Sequence, residues 1–169
     1  MTVDNTNYVE YLIELSKEGR KRSFIDLCEI NLRNVYTIAY RLLSNAEEAQ
    51  KVTIHTFVKS WERIKEYNEN IPFSIWMKNT AIEYSIRMLG NRDANYAERK
   101  RPIKISSEQE FLESHILSLP QEERIIIILH DIEGYSYNEI RNFFEGLEIN
   151  EIKSKLVNTR EYLINKISV

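Results

Sequence analysis

The chain of 169 residues contains one cysteine, three prolines, four glycines and three histidines, and each scarcity closes off a class of protein. Cys28 alone forms no internal disulfide, which excludes a disulfide-built secreted scaffold. It falls on an apolar helix face and reads as a structural thiol, not a nucleophile. His55, His115 and His130 lie far apart, and none pairs at i+4 with another His or with Cys, so no metal site is expected. No glycine-rich phosphate loop occurs either. No run of about 18 apolar residues exists to cross a membrane. The first twenty residues mix Asp4, Glu10, Glu14, Lys17 and Glu18 among apolar ones, unlike a signal peptide. The expectation is a soluble, cytoplasmic protein in a reducing compartment that is not an enzyme. No cofactor, metal, membrane or small-molecule substrate is expected.

What the chain does have is 43% apolar residues and nearly balanced charge, 23 Lys+Arg against 26 Asp+Glu. That composition builds real cores and argues against disorder. The few breakers, Gly19, Pro72, Gly90, Pro102, Pro120, Gly134 and Gly146, fall between stretches of helical periodicity, so the chain reads as all-α. From Phe24 a stripe of Phe24, Leu27, Cys28, Val35, Ile38, Ala39 and Leu42 recurs at three and four. Ser44 ends it, and Ser44 with Glu47 has the spacing of a capping box. A second stripe runs Ala49, Val52, Thr56, Phe57, Trp61, Ile64. A third helix after Pro72 carries Phe73, Trp76, Met77, Thr80, Ala81 and Tyr84 and closes at Gly90.

Between Asn91 and Ser107 periodicity fades and polar residues dominate, which reads as a linker. Ser107 with Glu110 marks a new helix start. The apolar run Ile125 to Leu129 fits a buried strand by pattern alone. Pro120 at a first helical position, followed by Gln121, Glu122 and Glu123, favours a helix. Ser136 with Glu139 opens a short helix, Gly146 turns the chain, and Ile149, Ile152, Leu156, Leu163 and Ile167 line a last long one. A helix from 136, a glycine-bearing turn and a second helix from about 149 form a helix-turn-helix pattern. By charge, residues 114–169 carry 6 basic and 9 acidic residues, although a DNA-binding domain is expected to present a basic face. Lys153, Lys155 and Arg160 supply a local one. Asn150, Glu151, Ser154 and Asn158 share a polar face at helical spacing. Such side chains suit base edges, while Lys and Arg suit phosphates; the same pattern also fits the wet side of an amphipathic helix.

The segment Leu119-Pro120, Arg124, Leu129 to Ile140, then Ile152-Lys153-Ser154-Lys155-Leu156 and Arg160, resembles the C-terminal domain of bacterial extracytoplasmic-function sigma factors. Upstream, Gly19, Phe24, Val35-Tyr36, Ala39 to Leu43, Glu48-Ala49, Phe57, Trp61, Phe73 and Trp76 resemble the N-terminal domain of that family. The resemblance implies two small helical domains joined by a linker: 1–92, binding core polymerase and the downstream promoter element; 93–113, the linker; 114–169, binding the upstream element. Implied partners are the RNA polymerase core, promoter DNA and an anti-sigma factor. The implied polymerase contacts are Glu48, Lys51, Val52, Ile54, His55 and Lys59. Those to the separated downstream strand are Tyr67, Asn68, Asn70, Lys78, Tyr84, Arg87 and Arg92, with Phe73 and Trp76 read as core. Those to the upstream duplex are Asn150, Glu151, Lys153, Ser154, Lys155, Asn158 and Arg160.

The sequence departs from the family at several of these positions. Lys51, Ile54 and His55 stand where the family usually has an acid, a glutamine and a glutamate. Replacing carboxylates by a cation and an imidazole at an ion-paired contact is expected to turn attraction into repulsion. Glu83 is poorly suited to face phosphates. Val157 and Asn158 replace a usual histidine and arginine, leaving fewer phosphate donors. Two functions fit: a divergent sigma factor directing polymerase to promoters, or a sigma-like mimic that sequesters an anti-sigma factor. The resemblance in both halves favours the first.

Overall fold

The computed structural model describes residues 3–91 and 108–167, with side chains over 7–91 and 110–166. Every element among them is helical, as the periodicity predicts: α1 Val3–Lys17, α2 Lys21–Leu43, α3 Ala46–Arg63 with a 3-10 turn Ile64–Glu66, α4 Phe73–Gly90, α5 Glu108–Leu117, α6 Gln121–Ile127 continued by a π-helical turn Ile128–Ile132, α7 Tyr137–Asn142 and α8 Ile149–Ile167. The run Ile125 to Leu129 is helix, not strand, and it is fully buried. These elements form two compact units. One takes the chain up to Tyr40 together with Ala46–Arg87; the other takes Arg41–Asn45 with the described chain from Met88 onward. α5 begins at Glu108, inside the stretch expected as linker to 113. Ser107, the expected start signal, and the cations Arg99, Lys100, Arg101 and Lys104 lie outside the described residues.

In the first unit the apolar stripes face inward: Leu12 and Ile13 from α1, Leu27, Val35 and Ile38 from α2, Val52 from α3, Met77, Ala81 and Ile82 from α4. At about 25 cal/mol per Å² of apolar surface, each such Leu, Ile or Val contributes roughly 1.5–3 kcal/mol before entropy is charged against it. Phe24 meets Trp61 with ring centroids 5.2 Å apart. α1 ends in a Schellman motif: Gly19 takes φ 92° while Gly19 N–H and Arg20 N–H donate to the Ser16 and Leu15 carbonyls, a conformation glycine adopts without the Cβ penalty. The expected capping box at Ser44 does not form. Ser44 adopts a left-handed φ of 54° after α2, and α3 starts only at Ala46, so Ser44 ends one helix instead of opening the next.

In the second unit α6, the π turn, α7 and α8 pack around Ile125, Ile126, Leu129, Ile140, Ile152 and Leu156. Pro120 is the N-cap of α6, one residue before the position expected, and its carbonyl accepts from Arg124 N–H. Arg124 is wholly buried, and its Nη1 donates to the Leu117 and Leu119 carbonyls at 3.2 Å each. A buried guanidinium is tolerated here because carbonyls left over at a helix end accept its protons. Gly134, at φ 79°, lets the chain leave the π turn, with Tyr135 N–H reaching back to the Leu129 carbonyl. The box at Ser136 and Glu139 forms reciprocally as the spacing predicts, and its hydrogen bonds hold the Glu139 carboxyl below its ordinary range.

Candidate functional site

Three surfaces gather the residues singled out by sequence. On α3 the buried stripe is Ala49, Val52, Thr53, Thr56 and Ser60. Val52 is fully buried and so is corrected from a polymerase contact to a core residue. The opposite stripe, at helical spacing, is Glu47, Lys51, Ile54, Val58 and Glu62, with Ile54 65% and Val58 50% exposed. Lys51 Nζ lies 2.9 Å from Glu47 Oε1, and Lys59 Nζ lies 2.6 Å from Glu62 Oε2. His55 stacks on Tyr84 of α4 at 3.6 Å between centroids, with planes 11° apart. Burial, then the charges of Lys59 and Arg87, push its pKa below the ordinary 6.5, so the ring is neutral at pH 7. The repulsion expected from Lys51 and His55 is therefore corrected: one charge has a carboxylate beside it and the other is not present. What α3 offers is an apolar centre rimmed by ion pairs. Sequence had named Ile54, but not Val58, whose i+4 spacing from Ile54 was the available signal.

The second surface is the loop into α4. Tyr67 is buried at 7% exposure, its hydroxyl donating to the Ile71 carbonyl and its ring set edge-on to Phe73 at 5.1 Å and tilted against Trp76 at 5.4 Å. Expected as a contact to the separated downstream strand, it is instead the buried pillar of this loop. Phe73 is core, as expected, and Trp76 is half-buried. Asn68 and Asn70 are exposed at the loop tip, where Asn70 N–H donates to Asn68 Oδ1. Tyr84 has one face occupied by His55. Lys78 is half-buried and Arg87 exposed; Arg92 lies outside the described residues. Cys28 is half-buried and its thiol is pushed up to about 12, by burial and then Glu29, which leaves it a poor nucleophile.

The third surface is the helix-turn-helix of α7 and α8. Ile152, Leu156, Thr159 and Leu163 point inward, while Asn150, Ser154, Val157 and Asn158 are exposed on the outer face. The cations are not free. Lys155 Nζ sits 3.1 Å from Glu122 and 3.2 Å from Glu123 of α6, which hold it above its ordinary range. Arg160 grips Asp131 in a fork, Nε to Oδ2 at 2.9 Å and Nη2 to Oδ1. Those bonds hold Asp131 below its ordinary pKa against burial, with His130 Nδ1 adding a contact at 2.7 Å. Lys155 and Arg160, expected at phosphates, thus stand as braces of the unit. Glu151 accepts from the Glu148 backbone N–H at 2.9 Å and caps α8, a capping role where a base contact was expected. Lys153 alone of the three expected cations has no carboxylate partner among the described residues. Its Nζ lies 5.3 Å above the Tyr137 ring, which in turn stacks on His130.

Residues 27–94 match the Sigma-70 region 2 family. The chain is 23% identical over 173 residues to the ECF RNA polymerase sigma factor SigW of Bacillus subtilis, covering 89% of this chain and 92% of that one. It is 27% identical to the ECF sigma factor SigE of Mycolicibacterium smegmatis, covering 83% of this chain and 60% of that longer relative. Over most of its length the chain is similar to extracytoplasmic-function sigma factors. Its fold is that of CnrH, solved with the cytosolic domain of CnrY, at TM-score 0.61 and 17% identity over 95% of this chain and 97% of that one. It is likewise that of RpoE from Bartonella quintana, solved with the anti-sigma factor NepR, at TM-score 0.58 and 17% identity over 88% and 98%. SigW, SigE and RpoE are named as sigma factors, and none of these findings favours the mimic reading. Among the described residues no helix is long and apolar enough to cross a membrane, and no cluster of His, Cys, Asp and Glu is arranged to hold a metal ion.

Proposed function

We propose that this chain acts as a sigma factor, directing RNA polymerase to promoters by docking the outer stripe of α3 on the core enzyme and laying α8 in the upstream duplex. In this reading residues 1–92 serve core and downstream-strand contact, 93–113 connect, and 114–169 read the duplex. The loop tip Asn68 and Asn70, with Arg87 at the far end of α4 in the same unit, serves the separated strand, and Lys153 supplies a phosphate contact. The protein works in the cytoplasm with polymerase and catalyses nothing itself. An anti-sigma partner fits too, since two proteins of the same fold are solved with CnrY and with NepR.

The observation that carries this reading is the apolar centre Ile54 and Val58 between the Glu47–Lys51 and Lys59–Glu62 pairs. Charges already paired within the helix contribute little long-range pull, so the docking energy comes from burying two branched side chains. The test is binding of the full chain to core polymerase of its own host. Ile54→Asp is expected to weaken it at least tenfold while circular dichroism stays unchanged, and raising salt is expected to weaken wild type only a few-fold. Wild-type affinity in a folded Ile54→Asp protein would remove α3 from the interface.

A further inference from the structure

The outer face of α8 carries a base-reading chemistry that its paired cations define by exclusion. Guanine is read in the major groove chiefly by a bidentate Arg or by Lys at O6 and N7. Here Arg160 is committed to Asp131, Lys155 to Glu122 and Glu123, and Lys153 lies over Tyr137. None of the three is presented as a free fork on the face of Asn150, Ser154, Val157 and Asn158, which stand at i, i+4, i+7 and i+8. Val157 is 50% exposed on that face, and Asn158 beside it is exposed with no side-chain hydrogen bond among the described residues. An exposed valine has nothing to gain from water, and an unbonded carboxamide offers one donor and one acceptor side by side. Glu161, also exposed on this face one turn farther along, repels phosphate and confines the reading stretch to the first three turns.

We propose that Val157 and Asn158 are the specificity-determining residues of α8 and that together they select A·T pairs in the upstream element. Asn158 accepts from adenine N6 and donates to N7, and Val157 packs against the thymine methyl group. The proposal rests on the reading of α8 as the duplex-binding helix. It assigns this chain's preference to a carboxamide and a branched apolar side chain, with Lys155 and Arg160 serving the fold and Lys153 the phosphate backbone.

The test uses holoenzyme assembled from the full chain and the core polymerase of its host, selecting from promoter fragments randomised across the upstream element. Wild type is expected to enrich A·T pairs at two neighbouring positions. Asn158→Ala is expected to lose about tenfold discrimination at one of them. At the other, replacing thymine by deoxyuridine, which lacks only the methyl group, is expected to weaken wild type several-fold and to leave Val157→Ala unaffected. Enrichment of a motif that neither variant alters, or of a guanine at these positions, overturns the assignment and leaves α8 as the reader. No enrichment at all overturns the reading of α8 itself and the assignment with it.

Discussion

The two units use ion pairs in opposite ways. On α3, Lys51 pairs with Glu47 and Lys59 with Glu62, each three or four residues away on the same helix and about half exposed or more. On α8, Lys155 reaches α6, and Arg160 reaches Asp131 in the π turn, 29 residues away in sequence. The first kind trims a surface and leaves its helix unchanged if lost. The second kind ties separate elements together, so those cations are unavailable to a ligand without loosening the unit. Equal-looking basic residues on two amphipathic helices therefore answer to different physics, and mutation tells them apart.

The largest expected effect lies in the core of the second unit. Arg124→Ala leaves the Leu117 and Leu119 carbonyls without their buried donor and opens a cavity, a loss of about 3 kcal/mol. Arg124 Nε also donates to the Leu42 carbonyl at 3.2 Å, so urea unfolding followed by amide exchange is expected to place that loss in α5 to α8 and the last turn of α2 and to leave the rest of α1 to α4 protected. Uniform loss across both units would contradict a bracing role confined to the second. A smaller effect sharpens the contrast between the pairs: a double-mutant cycle on Asp131 and Arg160 is expected to give a coupling of roughly 0.5–1 kcal/mol. The cycle on Glu47 and Lys51 is expected to give about 0.3 kcal/mol or less. Equal couplings would erase the distinction between trimming and tying pairs.

These differences mark how far the sequence was legible. Element type was readable throughout, because the 3.6-residue stripes and the Ser136–Glu139 box are local signals whose partners lie within one turn. Local signals failed where the outcome depends on another element. The Ser44 box has the right spacing but loses to a left-handed end of α2. Tyr67 looks like an exposed loop aromatic until Phe73 and Trp76 close around it. Lys155 and Arg160 read as phosphate donors because their partners, Glu122, Glu123 and Asp131, sit about 30 residues upstream, beyond any periodicity. The π turn at Ile128–Ile132 overlaps only the end of the apolar run Ile125–Leu129 and has no pattern of its own.

The smallest expected effect separates the units by pH. Both His55 and Asp131 have pKa values below their ordinary ones, and those ordinary values, 6.5 and 3.8, stand far apart, so the consequences fall in different windows. The folded first unit favours neutral His55, so its contribution is present above the ordinary 6.5 and is lost as pH falls below it, where the unfolded chain binds the proton first. The folded second unit favours ionised Asp131, so its contribution holds until pH falls through the ordinary 3.8 and below. Between pH 6.5 and 5, amide exchange in α3 and α4 is expected to accelerate, with no Asp131-linked loss in α6 to α8. His55→Phe keeps a ring against Tyr84 and removes the titrating nitrogen, so it is expected to flatten that dependence. If the variant keeps the wild-type slope, the acid sensitivity of α3 and α4 comes from a group other than His55, and the stacked ring is only a packing element.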